Sequence, residues 1–210
     1  QAAFIKTAAE QASKVKKAVK QAEIEVVQKG RKVNDKDKIV ITSENKLVTN
    51  QNLTVVDLAK TKMVDASIDW LDSTDAYPTL VRDRPTAYIL PPEYKDIAKK
   101  LQVLGVEVKK LKKPMKGAVE SYRVKDLKVS DELESGHSTR EVTTTVTSKK
   151  QDFPKGSYVF DMAQPDANFI SLALEPEGMD SYVTFNFIPA DKGKELPIYR
   201  YMQPTRLPIK

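Results

Sequence analysis

Cysteine is absent from the 210 residues. Disulfides are therefore excluded, and so is any zinc site built from thiolates. Such a chain fits a reducing cytosol, or an extracellular protein that does without disulfides. Histidine is nearly absent: His137, in "ESGHSTRE", stands alone. A zinc hydrolase needs two or three imidazole or carboxylate ligands at helical or strand spacing, and no HxxE or HExxH pattern occurs. A serine triad fails for the same reason, since no Ser sits in a GxSxG elbow beside a usable base. The sequence reading of His137 is a solvated residue in a Gly/Ser loop. The 7 glycines form neither GxGxxG nor GxxxxGKS, so no phosphate loop is present. No apolar run approaches the ~18 residues that a membrane span requires.

What the chain does have is a folding composition. Hydrophobic residues make up 40% and charged residues 30%, which excludes a disordered chain. The length suits one large domain or two small ones. The net charge is +6, from 35 basic and 29 acidic residues. The lysines are scattered among acids, which describes a solvated surface before it describes a polyanionic partner. The cluster "KKLKKPMKG" (109–117) lacks the interleaved aromatics that stack bases, so it reads as a charged strand edge and not a nucleic-acid site. The pairs Asp69/Asp72 and Glu132/Glu134 could line a cleft, but surface carboxylates are too common to carry an assignment. "NLT" (52–54) matches the N-glycosylation pattern and is too short to use alone.

Periodicity supplies the elements. Ile5, Ala8, Ala12, Val15, Val19, Ala22 and Val26 recur at spacings of three and four, which predicts one long amphipathic helix over residues 1–29, stopped at Lys29-Gly30. Its alanine-rich stripe suits docking on a protein surface better than a coiled-coil seam. "KIVIT" (38–42), "LTVVDL" (53–58) and "VDASIDWL" (64–71) predict short strands, with "SENK", "TNQN" and "STDAYP" as turns or loops. "TAYIL", then "PPEYKDIAKKLQVLG", then "VEVKKL" predict a β-α-β unit with a parallel crossover. "GAVESYRV" (117–124) and the alternating "STREVTTTVTSKKQ" (138–151) predict further strands. "SYVFDM", the proline-bracketed "QPDANFISLALEP" (164–176) and "SYVTFNF" predict a second strand-helix-strand unit. "LPIYRY" (196–201) predicts a last strand. The expected fold class is α+β: a mixed β-sheet with these two units and the long N-terminal helix. The expected organisation is an N-terminal helix at 1–30, a mixed α/β domain at 31–202 and a tail at 203–210.

The ordered set "RPTAYILPPEYKDIAKKLQVLGVEVKKL", "VESYRV", "FPKGSYVFDMAQPDANFISLALEPEGMDSYVTFNF" and "LPIYRY" resembles the region that follows the catalytic domain in bacterial zinc carboxypeptidases of the carboxypeptidase A-like family. The likeness covers roughly residues 78 to 201. It implies a non-catalytic accessory region. The family's zinc ligands, substrate-binding arginine and catalytic glutamate belong to the peptidase domain, so no catalytic, cofactor-binding or metal-ligating residue is assigned here. By the same resemblance, zinc belongs to the parent enzyme, the localisation is secreted or cell-surface, and the partner is an upstream peptidase domain. Helix 1–30 would link to that domain, and the first residue being Gln1 rather than Met is what a piece of a longer protein would show. Peptide substrate or cell wall are further expected partners; nucleic acid is not. The alternative expectation is a stand-alone extracellular module that binds cell-wall polymer, peptide or protein, motivated by the net positive charge and the lysine edge.

Overall fold

The computed structural model describes residues 2–31, 37–205 and 207–209. Residues 1, 32–36, 206 and 210, which the expected domain boundaries touch, lie outside the described residues. The chain divides into two compact units, one of residues 1–39 and 83–210, the other of residues 40–82.

The described elements are α1 (Ala2–Glu10), α2 (Ala12–Arg31), β1 (Lys38–Asp57), β2 (Lys62–Asp83), β3 (Ala87–Leu90), a 3-10 turn (Pro92–Tyr94), α3 (Lys95–Val103), β4 (Lys109–Lys110), β5 (Met115–Glu134), β6 (His137–Phe153), β7 (Tyr158–Asp161), α4 (Ala167–Leu174) and β8 (Glu195–Tyr201). The protein is mostly β. β1 and β2 form a two-stranded sheet, and the other strands form a six-stranded sheet in the order β4-β7-β3-β8-β5-β6. Among the described residues, the strand pairings of the larger sheet are antiparallel.

The expected mixed sheet is thus corrected to two antiparallel sheets. The β-α-β expectation fails at the pairing step. β3, α3 and β4 follow in order, but β7 inserts between β3 and β4 and pairs antiparallel with both. The two strands therefore run in the same direction without touching, and the partner that separates them lies some fifty residues later in the sequence. The second strand-helix-strand unit also loses an element. "SYVTFNF" folds as successive turns, although its aromatic and β-branched residues favour a strand. Local side-chain bonds decide this: Ser181 Oγ donates to the Pro176 carbonyl at 3.1 Å and accepts from the Thr184 amide at 3.0 Å. Thr184 Oγ1 donates to the Gly178 carbonyl at 2.7 Å. Such short-range bonds offer the backbone an alternative to a ladder.

The single long N-terminal amphipathic helix is corrected as well. A turn at Gln11 separates α1 from α2. No residue of α1 is buried, and in α2 only Gly30 is. The stripe stays in solvent, with Val15 at 53% and Val19 at 52% exposure; only Val26 packs on the main core. Gly30 does not stop the helix, which runs on to Arg31. It lets the backbone come close instead: a Cβ there would sit 1.9 Å from the Met162 carbonyl oxygen.

The larger sheet buries both of its faces. Alternation along β3 sends Tyr88 and Leu90 to one side and Ala87 and Ile89 to the other. The first side, with Phe160 of β7 and Ile198 of β8, is covered by α3 and α4 through Leu101, Ile170 and Leu174. The second side is smaller and gathers Val159, Tyr199 and Phe153 with Leu111. Leu207 and Ile209, in the segment expected to be a tail, pack here too, and Lys112 donates its amide to the Pro208 carbonyl at 2.9 Å.

The strands at 38–42, 53–58 and 64–71 are parts of one long ribbon, β1–β2. The polar stretches between them stay extended, and the chain reverses only at residues 58–61. Asp57 makes that turn: its Oδ1 accepts from the Ala59 amide at 3.0 Å and from the Lys60 amide at 3.1 Å. No described helix is long and apolar enough to cross a membrane.

Candidate functional site

The feature with the most buried polar chemistry lies on the first face of the larger sheet. Arg200 of β8 is 2% exposed and Glu175, just after α4, is 1% exposed. Arg200 Nε lies 3.4 Å from Glu175 Oε1, and its Nη1 donates to Glu120 Oε2 of β5 at 2.6 Å. Nη2 donates to the Asp83 carbonyl, at the root of β2. Tyr88 of β3 donates its hydroxyl to Glu175 Oε1 at 2.6 Å. Local structure sets these positions. Pro176 ends α4 at Glu175, whose extended backbone (φ −78°, ψ 117°) follows the last helical turn. Arg200 points inward because residues 196, 198 and 200 share a face of β8.

Burial, then the neighbouring Glu175 charge, pushes the Tyr88 hydroxyl well above its ordinary value. It stays protonated and acts as a donor. For Arg200, burial pulls the guanidinium pKa down, but Tyr122, Glu175, Tyr88 and Glu120 together raise it above the ordinary value. The network therefore holds a fixed ion pair in a closed site. It ties β3, β5, β8 and the end of α4 to the Asp83 carbonyl. Beside it, Arg84 Nε bonds Asp37 Oδ2 at 2.9 Å and the Arg84 amide donates to the Asp37 carbonyl at 3.0 Å.

A cleft of ≈ 510 Å³ opens on the second face. Val159, Tyr201 and Leu207 floor it, and Lys109 stands at its rim between Glu107 at 3.4 Å and Asp161 at 3.6 Å. Tyr201 and Thr205 share a hydroxyl bond of 2.7 Å inside it. Lys109, Glu107 and Asp161 are already paired with each other. Among the described residues, no three His, Cys, Asp or Glu side chains converge as a metal site would require.

The residues weighed from sequence fall elsewhere. His137 opens β6 at the end of a tight hairpin, where Ser135 (φ 50°) and Gly136 (φ 80°) supply the positive angles that a two-residue turn needs. The residue is exposed, as expected, but its ring also has aromatic neighbours. It packs edge-on, 6.1 Å from the Phe185 ring and 5.3 Å from the Phe187 ring, and so clips the hairpin to the 181–187 turns. Lys100 Nζ lies 4.6 Å over the Phe187 ring. Asp69 accepts the Asn50 amide at 2.9 Å and Asp72 accepts the Thr74 amide at 2.9 Å, so both serve the ribbon's own backbone. Glu132 and Glu134 are exposed at the far end of β5, and Asn52 is exposed in β1. Of the lysine cluster, Lys109 and Lys110 form β4, which is an edge strand. Gln164 is a clasp: its Oε1 accepts the Glu107 amide at 2.7 Å, and its Nε2 donates to the Asp161 carbonyl at 2.7 Å. Asn168 accepts from Arg84 Nη1 at 3.4 Å.

Sequence reasoning missed the Arg200 network. Its signal was present as charges inside apolar runs, Arg200 in "LPIYRY" and Glu175 in "LALEP". The side chains of Tyr88, Glu120, Glu175 and Arg200 each lie in a stretch quoted above for its family resemblance. The structure brings those separate stretches onto one ion-pair network.

Comparison with known proteins gives the relationship. Over 170 residues the chain is 34% identical to carboxypeptidase 2 of Trichophyton rubrum, and 33% identical to carboxypeptidase 2 of Trichophyton tonsurans. Over 150 residues it is 31% identical to a probable carboxypeptidase 2 of Arthroderma benhamiae. The chain is homologous to part of fungal carboxypeptidase 2. The first two matches take in 81% of this chain but only 31% of each relative. The chain thus spans about a third of the length of the curated relatives it matches. These relatives are fungal, where the sequence resemblance pointed to bacterial enzymes. No family model matches the chain, and no solved structure does.

Proposed function

We propose that this chain is a non-catalytic accessory region of a zinc metallocarboxypeptidase, and that it packs on the peptidase part or helps present peptide substrate to it. The observation that carries this reading is the share of the match: 81% of this chain aligns with 31% of its relative. The two-faced core and the Arg200 network support a structural role, since Tyr88, Glu175 and Arg200 are buried in it. The uncovered stripe through Ile5, Val15 and Val19 supports a packed neighbour along α1 and α2. In the whole enzyme, zinc would supply an activated water for cleaving a C-terminal peptide bond, held by the peptidase part. A secreted or cell-surface location belongs to the same reading.

The test is deletion of the matching region from full-length carboxypeptidase 2 of Trichophyton rubrum. The reading expects the truncated enzyme to keep its zinc and to melt at a lower temperature. Loss of zinc with loss of every turnover, in a protein that still melts normally, would place catalytic groups in the region and contradict it.

A further inference from the structure

The larger sheet ends at β6, and the chain itself covers only part of that edge. The Arg140 amide donates outward to the Thr184 carbonyl at 2.8 Å, and the Thr144 amide donates outward to Glu177 Oε1 at 2.9 Å. Inward and outward groups alternate along an antiparallel strand, and β5 and β6 keep an unbroken register from Met115↔Phe153 to Val124↔Thr144. The amides and carbonyls of Val146, Ser148 and Lys150 therefore face the same way as the Thr144 amide, on the stretch just past Glu177. Among the described residues, nothing bonds them on that side. The opposite edge of the sheet is closed differently: β4 is two residues long, and Leu111 after it is bridged to Ile209. The β1–β2 ribbon has open edges too, but only its own two strands behind them. β6 is backed by five strands with both faces packed, which makes its edge a fixed template.

Resting on the accessory role set out above, we propose that the stretch Val146–Lys150 of β6 binds an extended, acidic peptide segment by strand addition, as the body of a substrate would be held while its C-terminal residue is presented for cleavage. Donors and acceptors repeating at every second residue fit an extended main chain. The groups that the edge already holds are of the same two kinds, a main-chain carbonyl from Thr184 and an acidic side chain from Glu177. Charge points the same way. Lys149 is paired with Glu195 and Lys116 with Asp152, which leaves Lys150 exposed and without an ion pair among the described residues. A carboxylate opposite Lys150 completes the set, and such a directly opposed pair changes affinity about two- to fivefold. A second copy of the chain fits the edge less well. Paired antiparallel about Ser148, its Asp152 would fall opposite Thr144, where Glu177 already sits, so that two carboxylates meet. At about 3.3 Å per residue the open stretch is about 16 Å long, so the contact is small and reversible.

The experiment is titration of the nitrogen-15-labelled 210-residue chain with the blocked peptide acetyl-Thr-Val-Glu-Val-Thr-amide, following backbone amides and their exchange with water by NMR. The amides of Val146, Ser148 and Lys150 should shift, and their exchange should slow about tenfold with peptide at about ten times its Kd. Arg140 and Thr144, whose amides are already bonded, should keep their rates. The same peptide N-methylated at its valines and glutamate has lost main-chain donors and should not bind. Lys150→Glu should weaken the acidic peptide about two- to fivefold and strengthen acetyl-Thr-Val-Lys-Val-Thr-amide by a similar factor. Circular dichroism checks that this exposed substitution leaves the fold intact, and the N-methylated control decides without any variant. Unshifted amides at millimolar peptide, or equal binding of the N-methylated peptide, overturn the proposal. So do shifts confined to the β1–β2 ribbon or to α1 and α2. Exchange that slows with chain concentration in the absence of peptide assigns the edge to a second copy and overturns it as well. Zinc retention by the truncated full-length relative does not depend on this edge, so failure of the proposal and failure of the accessory role are distinguishable.

Discussion

Arg200 sits between two carboxylates and a backbone carbonyl, with almost no exposure to water. Removing one partner of a buried pair leaves the other charge without compensation, which typically costs about 3–5 kcal/mol. Arg200→Met should therefore lower the free energy of unfolding by about that much, read from urea denaturation. The double variant Arg200→Met/Glu175→Leu should recover part of the loss, because it removes both charges together. A loss below ~1 kcal/mol for the single variant would mean that the network does not hold the core. Gly30 illustrates the opposite kind of constraint, one of space. Only a residue without a Cβ lets α2 approach the Met162 carbonyl as it does.

α4 is the element where sequence and structure agree best, and where they still part in detail. Pro165 and Pro176 bracket it, and Ile170, Ala173 and Leu174 are buried as their spacing predicts. Leu172 points to solvent at the surface, although apolar residues occupy most of the helix circumference. Ile170→Ala should cost about 2–5 kcal/mol, the usual range for a large-to-small core change. Leu172→Ala should stay within about 0.5 kcal/mol, as surface changes do. Thermal unfolding of the two variants side by side checks this, and equal losses would mean that the buried face is misassigned. β3, β7 and β8 were equally legible, because their apolar runs are short and bounded by turn residues. The 181–187 segment was not, since three local side-chain bonds outweigh its strand propensity. The β3–β4 separation was not either, because strand order depends on β7, a partner remote in sequence. The site was less legible than the fold. Arg200 and Glu175 were visible as charges in apolar runs, but their meeting is a tertiary fact.

Over the whole molecule, the buried tyrosines set a limit at high pH. Burial, then the charge of Glu195, pushes Tyr199 up to about 12, and Tyr88 is raised in the same direction. In the unfolded chain a tyrosine ionises at about 10. Below about pH 10 both states hold the proton, so the stabilising contribution is fully present. From about pH 10 upward the unfolded state releases protons first, and stability falls as pH rises through the folded values. The melting temperature should therefore decline between about pH 10 and pH 12, and Tyr199→Phe should flatten that decline. An unchanged slope in Tyr199→Phe would remove this tyrosine from the account.

On the proposed function, these 210 residues are the accessory part of a carboxypeptidase and not its catalytic part. Zinc content tests it most directly. The purified chain is incubated with excess zinc, desalted, and analysed for metal alongside release of C-terminal residues from a blocked dipeptide. The account predicts far less than one zinc per chain and no release. One tightly held zinc per chain that a chelator removes, together with peptide cleavage that disappears with it, would contradict it.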